Sequence, residues 1–234
     1  MLNSNGFGGN YRYGQRINAD DKRLYEIDLV YMKDPKESKS VSPNSARYVE
    51  GKKNLALNFR VGYGKQHEKY RKHDAGGIAI RRFYNFGPSL AVLKPIYYDI
   101  AKAVYGNPPW REKLPSGKYD PQWQAGNTYI FSRASFFKGF DEIGIVPGVF
   151  AKFGYNFEFG SQDRVIHALE AGLIAEGFLK KVEIMDFSNP DINQTKFAKN
   201  QQFFLTLFFC YRFGRIVDPY EVKKKRERSR EISY

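Results

Sequence analysis

His67, His73 and His167 are the chain's three histidines and the first residues to weigh for chemistry. His67 and His73 share a segment with Asp74, a grouping of the type that holds a metal ion or works as a general base. Lys65, Lys69, Arg71 and Lys72 surround them, and that many cations would repel a metal. The segment therefore reads as a solvated basic loop. His167 begins a strand on its outer face and reads as an interfacial residue. No Gly-x-Ser-x-Gly, His-Glu-x-x-His or paired-cysteine motif occurs. A single cysteine, Cys210, excludes a disulfide framework and reads as a small buried thiol. The expectation is a chain with no catalytic residue, no metal ligand and no cofactor: not an enzyme.

Charges at alternating positions are the other residues able to act. Arg12, Arg16, Glu26, Asp28, Arg60, Lys152, Glu158, Glu170, Glu176 and Arg212 comprise five of each sign. All sit on the face of a strand opposite a uniform apolar one, because successive side chains of a strand point to opposite faces. Balance of this kind suits the interior of a narrow closed sheet, where an unpaired charge is costly.

The elements that carry them share one pattern, clearest in residues 202–214. There Phe203, Leu205, Leu207, Phe209, Tyr211 and Phe213 oppose Phe204, Thr206, Phe208, Cys210, Arg212 and Gly214. Similarly, Tyr25, Ile27, Leu29 and Tyr31 oppose Leu24, Glu26, Asp28 and Val30, and Leu55 to Tyr63 alternate with Ala56 to Gly64. Ile78, Ile80, Tyr84 and Phe86 form a further apolar face, interrupted by Arg82. Asn85-Phe86-Gly87-Pro88 reads as a hairpin leading to a separate strand with Leu90, Val92 and Ile96. Strands at Val149–Phe157 and Leu169–Ala175, with the opening Phe7, Tyr11 and Tyr13, bring the count to eight. Gly6-Phe7-Gly8-Gly9 is followed by no helix and reads as close backbone packing within a strand.

Bulky outer faces ending on tyrosine, set against mixed charged faces, invert the polarity of a soluble barrel and fit a lipid boundary. The fold class expected is all-β: an eight-stranded antiparallel transmembrane β-barrel over residues 1–214, with a basic tail at 215–234. Aromatics at 17% would supply two interfacial girdles. A mean hydropathy of −0.58 and the lack of an apolar run near ~18 residues exclude a helical span but not a barrel. A formal net charge of +13 would suit nucleic acid, yet no nucleic-acid-binding motif accompanies it. Residues 223–230 alone carry six cations and one anion, which fits a solvated tail or an attraction to anionic lipid.

Parity of eight strands places loops 17–21, 66–75, 97–142 and 180–200 outside the cell. Turns 33–53, 85–88 and 160–163 and the basic tail are then periplasmic, and 33–53 is too long for that side. The last strand is expected to close the barrel by pairing with Gly6–Arg16, its Arg212 balancing Glu170 and Glu176. Loop 97–142 holds Trp110, Trp123, Phe136, Phe137 and Phe140, which read either as a partner contact or as a local mini-core. Asn3, Ser4, Asn5 and Gly6 follow the first residues in place of a leader, so a processed or trimmed amino end is expected.

Asn10-Tyr11-Arg12-Tyr13-Gly14, Asp34 to Val41, Phe136 to Glu142, Asn156 to Gly160 and the Phe203–Phe213 strand resemble small outer-membrane β-barrels of Bacteroidota, over residues 6–214. The resemblance brings no catalytic residues. It implies an accessory or structural subunit of an envelope complex for protein assembly, secretion or uptake, in the outer membrane of a Gram-negative cell. Its partners would be outer-membrane lipid and other envelope proteins, not nucleic acid. The basic tail departs from barrels that end on their last aromatic. A small barrel enzyme acting on lipid, peptide or ester, and a soluble lipocalin-like binder, are the alternatives.

Overall fold

In the computed structural model, which describes residues 1–37, 39–40, 48–71, 77–103, 111–120, 128–159, 165–186 and 200–217, the period-two segments form strands and no helix appears among the described residues. Seven long strands do most of the work: β2 (Gly6–Arg16), β3 (Asp21–Met32), β6 (Asn54–Tyr70), β7 (Ala79–Pro95), β11 (Gly144–Phe159), β12 (Val165–Val182) and β13 (Gln201–Arg215). Each pairs antiparallel with the next, and β1 (Leu2–Asn3) sits between β13 and β2 to close an eight-strand ring.

Two expectations are corrected here. Asn85-Phe86-Gly87-Pro88 makes no hairpin: β7 runs straight through it and stays paired with β11 at Val149↔Pro88 and Phe150↔Gly87. The residues around Leu90 and Val92 are therefore the second half of β7, and the eighth strand is the two-residue β1. Nor does β13 pair with Gly6–Arg16. Leu2 lies between them, opposite Phe209 on one side and Phe7 on the other.

Losing that turn moves the later connections to the opposite ends. Connections 17–20, 71–78 and 160–164 and the exit from β13 share one end of the ring. Connections 33–53, 96–143 and 183–200 share the other. The three long connections thus lie together, and 33–53 is no longer an exception among short turns.

The long connections build their own structure over that end. β8 (Tyr97–Ala103) lies between β9 (Arg111–Lys118) and β10 (Thr128–Arg133) in a three-stranded sheet, and β4 (Lys39–Ser40) pairs with β5 (Tyr48–Val49). Ile96, Tyr98, Tyr119 and Ile130 form a small core there, with Tyr48 and Leu55 packed against it. The Tyr98 hydroxyl donates to the Lys52 carbonyl at 2.8 Å, and burial pushes its ionisation upward. Ser116 and Ser132 donate to Asp99 at 2.8 and 2.9 Å, and these bonds hold its carboxyl below the ordinary range. This small core is built of residues other than the expected ones: Phe136, Phe137 and Phe140 are exposed, and Trp110 and Trp123 lie outside the described residues.

Glycines let neighbouring strands approach one another closely. A Cβ on Gly8 would lie 2.1 Å from the Leu29 carbonyl oxygen, and one on Gly64 would lie 1.8 Å from that of Tyr84. The close packing expected of Gly6-Phe7-Gly8-Gly9 therefore applies at Gly6 and Gly8, whereas Gly9 faces open space.

Candidate functional site inside the ring

Inward positions of six of the seven long strands place eight of the ten expected charges in one interior network. Glu26 of β3 accepts from Arg12 of β2, at 3.0 Å from Nε and 2.8 Å from Nη2, and from Lys152 of β11. Lys152 Nζ also lies 3.2 Å from Asp28. Arg60 of β6 grips Glu176 of β12 with two bonds, Nε to Oε1 at 2.7 Å and Nη2 to Oε2 at 2.6 Å. Two parallel bonds match the planar guanidinium to the carboxylate, the strongest form of this pair. Glu170 takes a second bidentate grip from Arg212 at 3.0 and 2.8 Å, and a bond from Arg12 at 2.6 Å. Arg212 therefore balances Glu170 as expected; Glu176 belongs to Arg60.

Arg16 is the departure. It ends β2 exposed at the rim and makes none of the network's bonds. Glu158, the remaining carboxylate, bonds instead to Arg81 of β7, which also reaches Glu68 at 3.4 Å. Arg81 was missed, as were four asparagines: Asn10 on Glu26 and Asp28, Asn85 on Glu26, Asn58 on Glu176 and Asn156 on Glu170. All five occupy the same inward row as their partners, so alternation places them there once Arg81 is counted among the charges and the amides are counted beside them.

Apolar clusters bracket the charges. Toward the long-connection end lie Met32, Ala56, Ala91, Leu93, Val146 and Phe178, with Ile184 and Met185 folded in from the following segment. Leu24, Phe83, Phe150, Ile174, Phe208 and Cys210 pack among the ion pairs. Arg12 stacks over Phe83 at 4.2 Å and Lys152 over Phe208 at 4.8 Å, so the cations also use ring faces. Arg60, Lys152, Glu170 and Asn58 are fully buried. The interior is thus filled by paired charge and apolar side chains.

The outward face is apolar and bare. Phe203, Leu205, Leu207, Phe209, Tyr211 and Phe213 are all exposed, as are Tyr11, Tyr25, Leu29, Val61, Tyr84, Val149 and Phe153 on the other walls. Continuous apolar surface on this scale exceeds what a soluble monomer normally exposes. His167 belongs to this face, with Phe159 and Phe213 beside it and its Nδ1 2.7 Å from the Tyr211 hydroxyl. His67 sits at the short-turn end with its Nδ1 2.9 Å from Asp21; His73 and Asp74 lie outside the described residues. No three His, Cys, Asp or Glu side chains come together as metal ligands among the described residues.

Of the expected contact residues, Trp110 and Trp123 lie outside the described residues. Phe136, Phe137 and Phe140 meet as a knuckle with ring centres 5.5 to 6.2 Å apart, exposed near the long-connection end. Lys94 places its Nζ 5.0 Å from two of the rings and donates to the Lys138 carbonyl at 2.8 Å. Beside the knuckle an open cleft of ≈ 590 Å³ carries Lys53, Lys118, Lys180 and Lys181. Two of these lysines are matched, Lys53 to Glu183 and Lys118 to Glu142.

No family model, curated protein or solved structure matches the chain. The class its fold and interior define is an all-β protein whose eight-strand antiparallel sheet closes in a ring around paired charges.

Proposed function

We propose that the ring is a non-enzymatic transmembrane β-barrel of a Gram-negative outer membrane, serving as a structural or accessory subunit of an envelope complex. One observation carries this reading: polarity is inverted, with ion pairs inside and a continuous apolar wall outside. Lipid demands that every backbone group be paired within the protein, and only helices and closed sheets meet that demand. The long strands run from 11 residues in β2 to 18 in β12, enough for the ~9–11 that a tilted strand needs to cross the hydrocarbon. Outer-membrane barrels keep short turns on the periplasmic side and longer loops outside. The three long connections, the small sheet and the aromatic knuckle then project from the cell, and the β13 exit faces the periplasm.

In this reading the partner contact is the exposed knuckle, since aromatic side chains dominate the energetics of protein interfaces. Replacing Phe136, Phe137 and Phe140 together by Ser leaves the interior untouched. Detergent-solubilised pull-down should recover a stable multi-protein complex with the native chain and lose it with the triple variant. Recovery of the chain alone, with esterase or protease activity, would sink the accessory role.

A further inference from the structure

At the long-connection end the sheet splits between β11 and β12. Their ladder stops at Gly148↔Phe178, yet β11 runs on beside β7 through Val146↔Ala91 to Gly144↔Leu93. Pro147, which has no N–H to offer a ladder, stands at the point of separation. β12 also bows away from β13. Its pairing skips from Gly177↔Phe203 to Val182↔Gln201, so four residues, Phe178 to Lys181, stand against Gln202 alone. An arch of this kind is an enlarged bulge, and a bulge re-aims the side chains it carries.

Both feet of the arch are fixed. Phe178 and Val182 are buried in the apolar cluster at this end, and Gln202 donates from Nε2 to the Leu179 carbonyl at 3.3 Å. Leu179, Lys180 and Lys181 between them are exposed. The cleft of ≈ 590 Å³ opens here, with Leu93 and Val146 in its lining. Lys53 and Lys118 are matched there, to Glu183 at 2.6 Å and Glu142 at 2.9 Å. Among the described residues no carboxylate pairs with Lys180 or Lys181, so two of the cleft's four lysines keep their charge unmatched. Below the arch the outward row runs through the small pair Ala151↔Ala175, flanked by Val149 and Leu205, both exposed.

We propose that this split binds one anionic lipid whose headgroup carries a phosphate, the phosphate held by Lys180 and Lys181 and an acyl chain lying along the wall below. Two ammonium groups on flexible stems can meet a tetrahedral phosphate from separate directions. A planar carboxylate is better matched by the fork of an arginine, and the described lining of the cleft has none. Leu179, 75% exposed, sets an apolar side chain directly beside both lysines, which suits a ligand that is charged at one end and apolar at the other. The proposal rests on the membrane reading, which puts this rim, where the apolar wall ends, at the depth of the outer headgroups.

The test titrates the folded chain in maltoside micelles with dioleoyl phosphatidic acid, dioleoyl phosphatidylcholine or inorganic phosphate, and reads amide shifts by NMR. Phosphatidic acid should give a saturable one-site shift at Leu179, Lys180, Lys181 and Gln202, and zwitterionic phosphatidylcholine none. Lys180→Gln with Lys181→Gln should weaken binding by about 30-fold, since each lysine near an anionic lipid surface contributes about fivefold. Lys33→Gln with Lys102→Gln removes as much charge from the same end, at exposed residues outside the cleft, and should leave the affinity unchanged. No saturable shift, or equal weakening by the two pairs of substitutions, overturns the proposal. So does inorganic phosphate that shifts the same amides as tightly as phosphatidic acid, because the occupant would then be a free anion. Folding in buffer without detergent would defeat the membrane reading alone, and dihexanoyl phosphatidic acid, soluble as a monomer, would then test the cleft directly.

Discussion

Glu176→Ala should destabilise the folded protein by about 3–5 kcal/mol, the range for breaking a buried ion pair by removing one partner. The loss comes less from the missing bonds than from what stays behind. Arg60 is fully buried, and its next carboxylate, Asp28, stands 3.6 Å away and is shared with Lys152. Removing both charges together, as Arg60→Met with Glu176→Leu, should recover most of the loss, because apolar groups of similar volume replace a buried pair at little or no penalty. Urea titration of the refolded protein reads all three variants. A double variant as unstable as Glu176→Ala would mean that the network holds the ring by more than charge balance, for instance through Asn58, whose Nδ2 donates to Glu176 at 2.7 Å.

Leu207→Arg carries the second large effect, and its size depends on the solvent outside. Leu207 lies near the middle of β13 on the bare outer face, opposite Leu173 on β12. Against hydrocarbon an arginine there should cost about 2–4 kcal/mol, falling toward zero near the strand ends. Against water an exposed substitution should stay within about 0.5 kcal/mol. The same change at Phe203, at the start of β13, is the depth control. A shared small effect at both positions would argue for water outside.

Much of this architecture was legible because one physical rule governs it. Alternation placed Arg12, Glu26, Asp28, Arg60, Lys152, Glu158, Glu170, Glu176 and Arg212 on the inward row, and the structure joins all of them but Glu158, which pairs with Arg81, in one network there. Arg16 failed because alternation says which face a residue takes, not how far along the strand the interior extends. The count of eight holds, but the strand division failed at Gly87-Pro88, where composition argues for a turn. Both residues have reasons to stay in the strand. A Cβ on Gly87 would lie 2.0 Å from the Val61 carbonyl oxygen, so the close approach of β6 requires glycine. Pro88 falls where the β6–β7 ladder skips between Arg60↔Ser89 and Tyr63↔Phe86, while pairing with β11 continues unbroken. Neither contact can be read locally, since each depends on a neighbouring strand. That one misplaced turn also reversed the ends of every later connection and made the 33–53 segment look anomalous.

Closure by Leu2 and Asn3 was invisible for a related reason: two residues carry no period, and the long β13 suggested an equally long partner. The aromatic knuckle was legible as exposed apolar residues. The small sheet under it was passed over because its strands Tyr97–Ala103 and Thr128–Arg133 lie within what composition marks as one long loop.

Lipid contact along β13 is the most direct test of the membrane reading. Single cysteines at 203 to 209, in a Cys210→Ser background, carry spin labels in protein refolded into phospholipid vesicles. Accessibility is then compared for oxygen, which concentrates in hydrocarbon, and for a water-soluble nickel chelate. The expected result is a period of two, with labels at Phe203, Leu205, Leu207 and Phe209 exposed to oxygen and shielded from nickel, and labels at Phe204, Thr206 and Phe208 shielded from both. Nickel reaching the odd-numbered positions as readily as oxygen does, in protein that sediments free of the vesicles, would contradict it.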